Sequence, residues 1–209
     1  MDDKPEGQGD SLEVMGGMEK RVRADAQRNI DALLQAALAV FKTSGVDAPV
    51  REIAEKAGVG IGTLYRHFPQ RADLVAAVFR HEIDACAEAA STLAAEHGPG
   101  EALARWSQRY ADFIATKRGL AAAIHSRNPA FEPLAAYFQA RLLPAFRTLL
   151  DAAVAAGEVR ADVNADDLLS AVGNLSRQAP DEDPERTRRI IALLIDGLRY
   201  GARPSVNRD

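Results

Sequence analysis

The chain of 209 residues has a single cysteine, Cys86, so no intramolecular disulfide is possible and a reducing cytoplasm is the simpler compartment. As a small apolar residue, Cys86 reads as buried packing ahead of a redox sensor. Long apolar runs are also missing. None reaches the roughly 18 residues a membrane span needs, and the N-terminus lacks a signal-peptide apolar region, so a soluble, cytoplasmic chain with no membrane partner is expected. Strand-type alternation is hard to find while alanine and leucine dominate, which predicts an all-α fold. Enzyme signatures are absent too. His67, His81, His97 and His125 show no ligand spacing such as H-E-x-x-H, and no Gly-x-Ser-x-Gly elbow occurs, so no catalytic residue, metal or cofactor is expected.

The net charge of −4 by itself argues against a nucleic-acid binder, but its distribution does not. Residues 20–80 hold 10 Lys+Arg against 6 Asp+Glu, a local balance of +4, and the remainder carries −8. A basic segment on an acidic body suits a protein that meets phosphate at one end only.

Within that basic segment lies V-R-E-I-A-E-K-A-G-V-G-I-G-T-L-Y-R-H-F, residues 50–68. Val50, Ile53, Ala54 and Ala57 recur at i, i+3, i+4 and i+7, with Arg51, Glu52, Glu55 and Lys56 opposite, which predicts a two-turn amphipathic helix. Gly58 follows where a left-handed cap is needed, and Val59 can reach back to the apolar face. A second short helix has Leu64 and Phe68 on one side and Thr63, Arg66 and His67 on another, and Pro69 ends it. Two small helices around a glycine turn make a helix-turn-helix, whose second helix fits a DNA major groove. A phosphate loop built on Gly58, Gly60 and Gly62 is the weaker reading: no strand precedes it, the G-x-G-x-x-G spacing fails at Tyr65, and no Gly-Lys-Ser/Thr follows.

A-G-V-G-I-G-T-L-Y-R-H-F, with I-A upstream and L-V-x-x-V-F downstream, resembles the TetR family of bacterial transcriptional regulators. The resemblance implies a three-helix DNA-binding domain followed by a helical ligand-binding and dimerisation domain, and repression as the default mode. It implies DNA contacts from Thr63, Tyr65 and His67, mostly to phosphate for the last two, and a phosphate contact from Arg71. Arg66 is better placed to read bases. Ile61 fits either a core role or a thymine methyl, with the DNA side favoured, and Gly62 lets the backbone approach the duplex. Two residues depart from the family pattern: Pro49 and Gly60 stand where Ser or Thr commonly caps, and Asp47 is a substitute cap for the first helix.

Residues 1–19 are expected to be a disordered arm, 20–70 the DNA-binding domain and 71–209 the ligand-binding and dimerisation domain, the arm because it is rich in Asp, Glu, Gly and Gln with few large apolar residues. Arg21 and Arg23 then open a long helix, either as a solvated face or reaching DNA phosphate or the minor groove. After the motif a helix through Leu74, Val78, Ile83, Cys86 and Leu93 is long enough to serve as a spine shared by two domains. Further helices are expected over 101–117, 120–126, 132–156 (with Pro144 a possible kink), 165–175 and 184–201, with a polar loop over 178–183.

The final helix is apolar on two sides. Ile191, Leu194, Ile195 and Leu198 can face the chain's own core, whereas Ile190, Leu193 and Gly197 point elsewhere. A second copy is the natural cover, with Ser170, Ala171, Gly173, Ile190, Leu193, Leu194 and Gly197 as the expected homodimer interface. The resemblance implies the same arrangement and a roughly palindromic double-stranded operator. Trp106, Tyr110, Phe113, Phe131, Tyr137 and Phe138 concentrate mid-chain. They are either ordinary core or, with Arg109 and His125, a chamber for a mostly apolar small-molecule effector. The rival reading is a helical small-molecule-binding protein without DNA binding.

Overall fold

A computed structural model describes residues 10–116, 129–178 and 184–200 of the chain. Among them every regular element is a helix: α1 (Asp10–Ser44), α2 (Val50–Ala57), α3 (Ile61–His67), α4 (Arg71–Glu96), α5 (Pro99–Thr116), a 3-10 turn (Pro129–Phe131), α6 (Leu134–Ala155), α7 (Ala165–Gln178) and α8 (Pro184–Tyr200). The helix starting at Asp10 corrects the expected arm, since residues 10–19 are helical. A polar composition limits burial but does not prevent a helix. A helix needs only its own backbone bonds, and extending one already nucleated adds a bond for every residue fixed. Residues 1–9, the short helix expected over 120–126 and the loop over 179–183 lie outside the described residues.

Large side chains gather in two clusters. The N-terminal cluster joins Leu33, Leu34, Ala37 and Phe41 of α1 to Ile53 of α2, Leu64 of α3, and Leu74, Val78 and Phe79 of α4. The second joins Ile83 and Cys86 of α4 to Leu103, Trp106 and Tyr110 of α5, Leu142 and Phe146 of α6, Leu169 and Val172 of α7, and Ile191 and Ile195 of α8. The helix α4 therefore belongs to both, changing cluster between Phe79 and Ile83. Two residues from far downstream, Phe131 and Leu134, also pack in the N-terminal cluster.

Local chemistry accounts for several helix ends. Gln70 N–H donates to Asp73 Oδ2 at 3.0 Å at the start of α4, and Asn164 Oδ1 accepts from the N–H groups of Asp166 and Asp167 at 2.8 and 3.3 Å to cap α7. Just before it, Asp162 pairs with Arg160 at 2.5 Å. Pro144 lies inside α6, where its ring removes one backbone donor. On α8, Ile191, Ile195 and Leu198 are buried while Leu193 is 73% exposed. None of the described helices is long and apolar enough to cross a membrane, and no group of three or more His, Cys, Asp or Glu among the described residues could hold a metal ion.

Candidate nucleic-acid interface

The turn between α2 and α3 is built from two backbone bonds. Val59 N–H donates to Ala54 O at 3.0 Å and Gly58 N–H to Glu55 O at 3.1 Å, the paired closure that a left-handed residue makes possible. Gly58 sits at φ +68°, ψ 26°, where a side chain would be strained. Val59 packs on the N-terminal cluster, so the turn is fixed by an apolar contact as well. At the other end of α2, Pro49 is the capping residue and no side chain caps it, so Asp47 does not take the role expected of it.

Residue spacing then divides α3 into two faces. Leu64 is 1% exposed and Phe68 packs on the same cluster. Ile61 and Tyr65 remain 47% and 49% exposed, together with Gly62, Arg66 and His67, and Thr63 is half-buried. Ile61 thus lies on the outer face. No carboxylate occurs between Lys56 and Arg71, and Arg66 and His67 occupy the last turn, so this face presents only neutral or basic groups. Gly60 caps α3 without a side chain, accepting from Thr63 N–H at 2.9 Å through its carbonyl.

Arg71 departs from expectation. Its guanidinium folds inward, half-buried, donating to Val46 O and to Ala48 O, the latter at 2.6 Å. Those carbonyls lie in the loop between α1 and α2, so Arg71 ties the start of α4 to the entry of α2. A second tie joins α1 to α4, where Gln35 Nε2 and His81 Nε2 lie 2.7 Å apart. Arg21 and Arg23 lie on α1 where the side chains are outside the described part.

Of the two readings offered for the mid-chain aromatics, the described rings have the packing of ordinary core. Trp106 is fully buried, its indole N–H donating to Cys86 O at 2.8 Å. Tyr110 stacks on it at 5.5 Å between ring centroids with 13° between planes, and Phe146 lies 5.4 Å away. Phe113 and Phe138 extend the group, stacked at 6.3 Å. Burial pushes the Tyr110 phenol above its ordinary range. Phe131 is not part of this group but of the N-terminal cluster, and His125 lies outside the described residues. Tyr137 instead donates to Asp84 at 2.7 Å, where Arg141 Nε also donates at 2.6 Å. The bond to Asp84, foremost, raises the Tyr137 phenol. This α4–α6 contact had no signal in the sequence, since its members are 53 and 57 residues apart. Arg109 is exposed and lines an open groove of about 520 Å³ between α4 and α5, with Ala85, Ala89 and Leu93 as its floor.

Among the expected dimer residues, Leu193, Gly197 and Ser170 are exposed and Ile190, Ala171 and Leu194 half-buried. Leu194 packs on its own subunit's core. Gly173 is corrected: a Cβ there would meet Tyr110 Oη at 3.0 Å, so its small size serves packing inside the subunit.

Comparison with known proteins agrees with this geometry. The family model described as bacterial regulatory proteins, tetR family, matches residues 33–78, and the one described as transcriptional regulator SbtR-like, C-terminal domain, matches residues 98–200. The fold is similar to the crystal structure of a TetR transcriptional regulator from Streptomyces coelicolor, at 35% identity over 81% of this chain and 98% of that one, with a TM-score of 0.70. It is equally similar to a TetR transcription regulatory protein from Mycobacterium vanbaalenii, at 35% identity over 85% and 99% of the two chains, with a TM-score of 0.72. A segment of 64 residues is 36% identical to an HTH-type transcriptional regulator of Staphylococcus aureus, covering 30% of this chain. The match spans 35% of that curated relative's length.

Proposed function

Because the chain belongs to the TetR family of bacterial transcriptional regulators, we propose that it is a ligand-responsive repressor that binds a roughly palindromic operator as a homodimer in the cytoplasm and is released by a small molecule. The observation that carries the reading is the division of α3, with Leu64 locked into the core and Ile61, Gly62, Tyr65, Arg66 and His67 turned outward on a face without a carboxylate.

Each residue on that face has a separate role. Tyr65 and His67 bind phosphate and fix register, with Thr63 beside them, while Arg66 donates two bonds to a guanine edge. Ile61 lies against a thymine methyl, and Gly62 admits the sugar-phosphate backbone where a side chain would hold it off. Arg71 and the Gly58 turn hold α3 at a fixed angle. Arg21 and Arg23 give further phosphate or minor-groove contacts from the start of the domain. Pairing two chains through Leu193, Ile190 and Gly197 sets two copies of α3 against half-sites about 34–36 Å apart or a multiple of that distance.

Release follows if the effector prefers a dimer in which that separation is wrong. A tenfold loss of operator affinity needs about 1.4 kcal/mol of difference between the two states.

A mobility-shift assay on the DNA upstream of the chain's own gene, repeated over a range of salt, tests the reading. A retarded complex whose affinity falls steeply with salt is expected. A chain that retards no fragment of that DNA at low salt would leave a ligand-binding protein without DNA binding.

A further inference from the structure

Three glycines shape the motif, and the fold itself needs only one of them. Gly58 takes a left-handed φ of +68° at the turn. Gly60 is extended at φ −69°, Gly62 lies inside α3 without a positive φ, and a Cβ built on either would meet nothing within 4 Å. Glycine inside a helix is unfavourable, so neither packing nor backbone geometry within the subunit accounts for Gly62, and Ile61 stands clear on both sides. Ile61 is exposed, and Tyr65, four residues on, lies about 40° round the helix axis from it, so the two form one apolar strip. Among the described residues the only other large apolar side chain so exposed is Leu193 on α8. The strip sits on a face with no carboxylate between Lys56 and Arg71, and with Arg66 and His67 in the last turn. Two side chains are too few for a protein interface of ordinary size. A basic face with a narrow apolar strip instead matches the DNA major groove, where the C5-methyl group of thymine is the apolar feature among polar base edges.

We propose that Ile61 reads the C5-methyl group of a pyrimidine and not the base that carries it, so that operator affinity rises when a cytosine at that position is methylated. The proposal rests on the reading of α3 as the DNA-contacting helix and adds to it a sensitivity to DNA methylation. Thymine and 5-methylcytosine present the same methyl group in the major groove and differ in the neighbouring edge, an O4 acceptor in one and an N4 donor in the other. Telling them apart takes a hydrogen-bonding group at the contact. Gly60, Ile61 and Gly62 supply no side-chain donor or acceptor, and Thr63 is half-buried about 200° round the axis from Ile61. Arg66 stands about 140° round, off the strip, and the Tyr65 hydroxyl is assigned to phosphate. The methyl contact therefore carries its own increment of affinity, independent of the base.

The full-length protein is first used to select its preferred duplex from random DNA. In fluorescence-anisotropy titrations of that duplex, each thymine on either strand is then replaced by deoxyuridine and each cytosine by 5-methylcytosine, which changes the methyl group and leaves the pairing intact. One position per half-site should respond by about fourfold, the scale of one methyl group withdrawn from water, and by about fifteenfold when both half-sites are changed together. With that position rebuilt as the other pyrimidine, the methylated duplex should again bind about fourfold more tightly than the unmethylated one. Ile61→Ala should remove the increment on both bases, and Arg66→Ala should weaken every duplex while keeping it. Both residues are exposed, so both variants should keep the parent's urea midpoint. An increment below about twofold at every pyrimidine, one that appears on thymine but not on cytosine, or one that survives Ile61→Ala would overturn the proposal while leaving DNA binding in place. If no duplex is selected and none is bound at low salt, the regulator reading falls and this one with it.

Discussion

The two hydrophobic clusters hold their largest side chains to opposite ends. The N-terminal cluster packs Leu, Ile, Val and Phe side chains around a helix of seven residues, and leaves much of that helix bare. In the C-terminal cluster, Trp106, Tyr110 and Phe146 lie wholly or almost wholly inside. Even the hydroxyls of Ser107 and Ser176 are turned back onto the carbonyls one helical turn earlier, at 2.8 and 2.7 Å. One cluster exists to hold a surface steady. The other is a packed mass, with Leu193 left exposed at its edge. Substitutions in the two regions should therefore fail in different assays.

Trp106→Ala should have the largest effect, about 3–5 kcal/mol of stability lost from a fully buried indole, read as a lower midpoint in urea denaturation. A loss under about 1 kcal/mol would mean that the aromatic group is loosely packed and that the contrast is overstated. Leu193→Glu should leave urea stability of the subunit nearly intact and weaken self-association by at least about tenfold, because an exposed leucine is replaced by a charge at the face proposed to meet a second copy. Sedimentation showing the parent protein already monomeric at micromolar concentration would remove the dimer from the scheme. Arg66→Ala should cost about 1–3 kcal/mol of discrimination at one base pair of the operator, with stability changed by less than about 0.5 kcal/mol. Unchanged sequence preference in a binding-site selection would assign Arg66 to phosphate. Gly58→Ala should destabilise by about 1–2 kcal/mol, since alanine must take φ +68°. Smallest of all, Gly60→Ser should stabilise by a few tenths of a kcal/mol, because the capping position is extended and has open space for a side chain; a loss would show that serine cannot reach the Thr63 N–H.

The same contrast governs how much of the molecule can be read in its sequence. The α2–α3 unit is local: Ile53, Leu64, Gly58 and Pro69 lie within a stretch short enough for spacing and turn chemistry to determine its shape. The inward and outward faces of α8 are legible for the same reason, since Ile191 and Ile195 against Leu193 is a matter of helical period. Long-range packing is different. Nothing near Arg71 in the chain indicates that its guanidinium will find the carbonyls of Val46 and Ala48, and nothing near Phe131 tells it apart from Phe138, although the two enter different clusters. An aromatic-rich stretch has the same composition whether its rings line a space or fill it. Only the centroid distances of 5.4 and 5.5 Å around Trp106 decide between them. Gly173 and Gly62 look equally available as small residues, yet only Gly173 has a ring against it.

Phe131 and Leu134 belong by chain position to the regulatory half but sit in the core of the DNA-reading half. A fragment cut at the end of α4 would keep every residue of the helix-turn-helix and lose two of the plugs that fill its interior. The reading head is therefore not a cassette that can be grafted onto another sensor at residue 96. A working chimaera must carry residues 129–134 with it, or refill the space they leave.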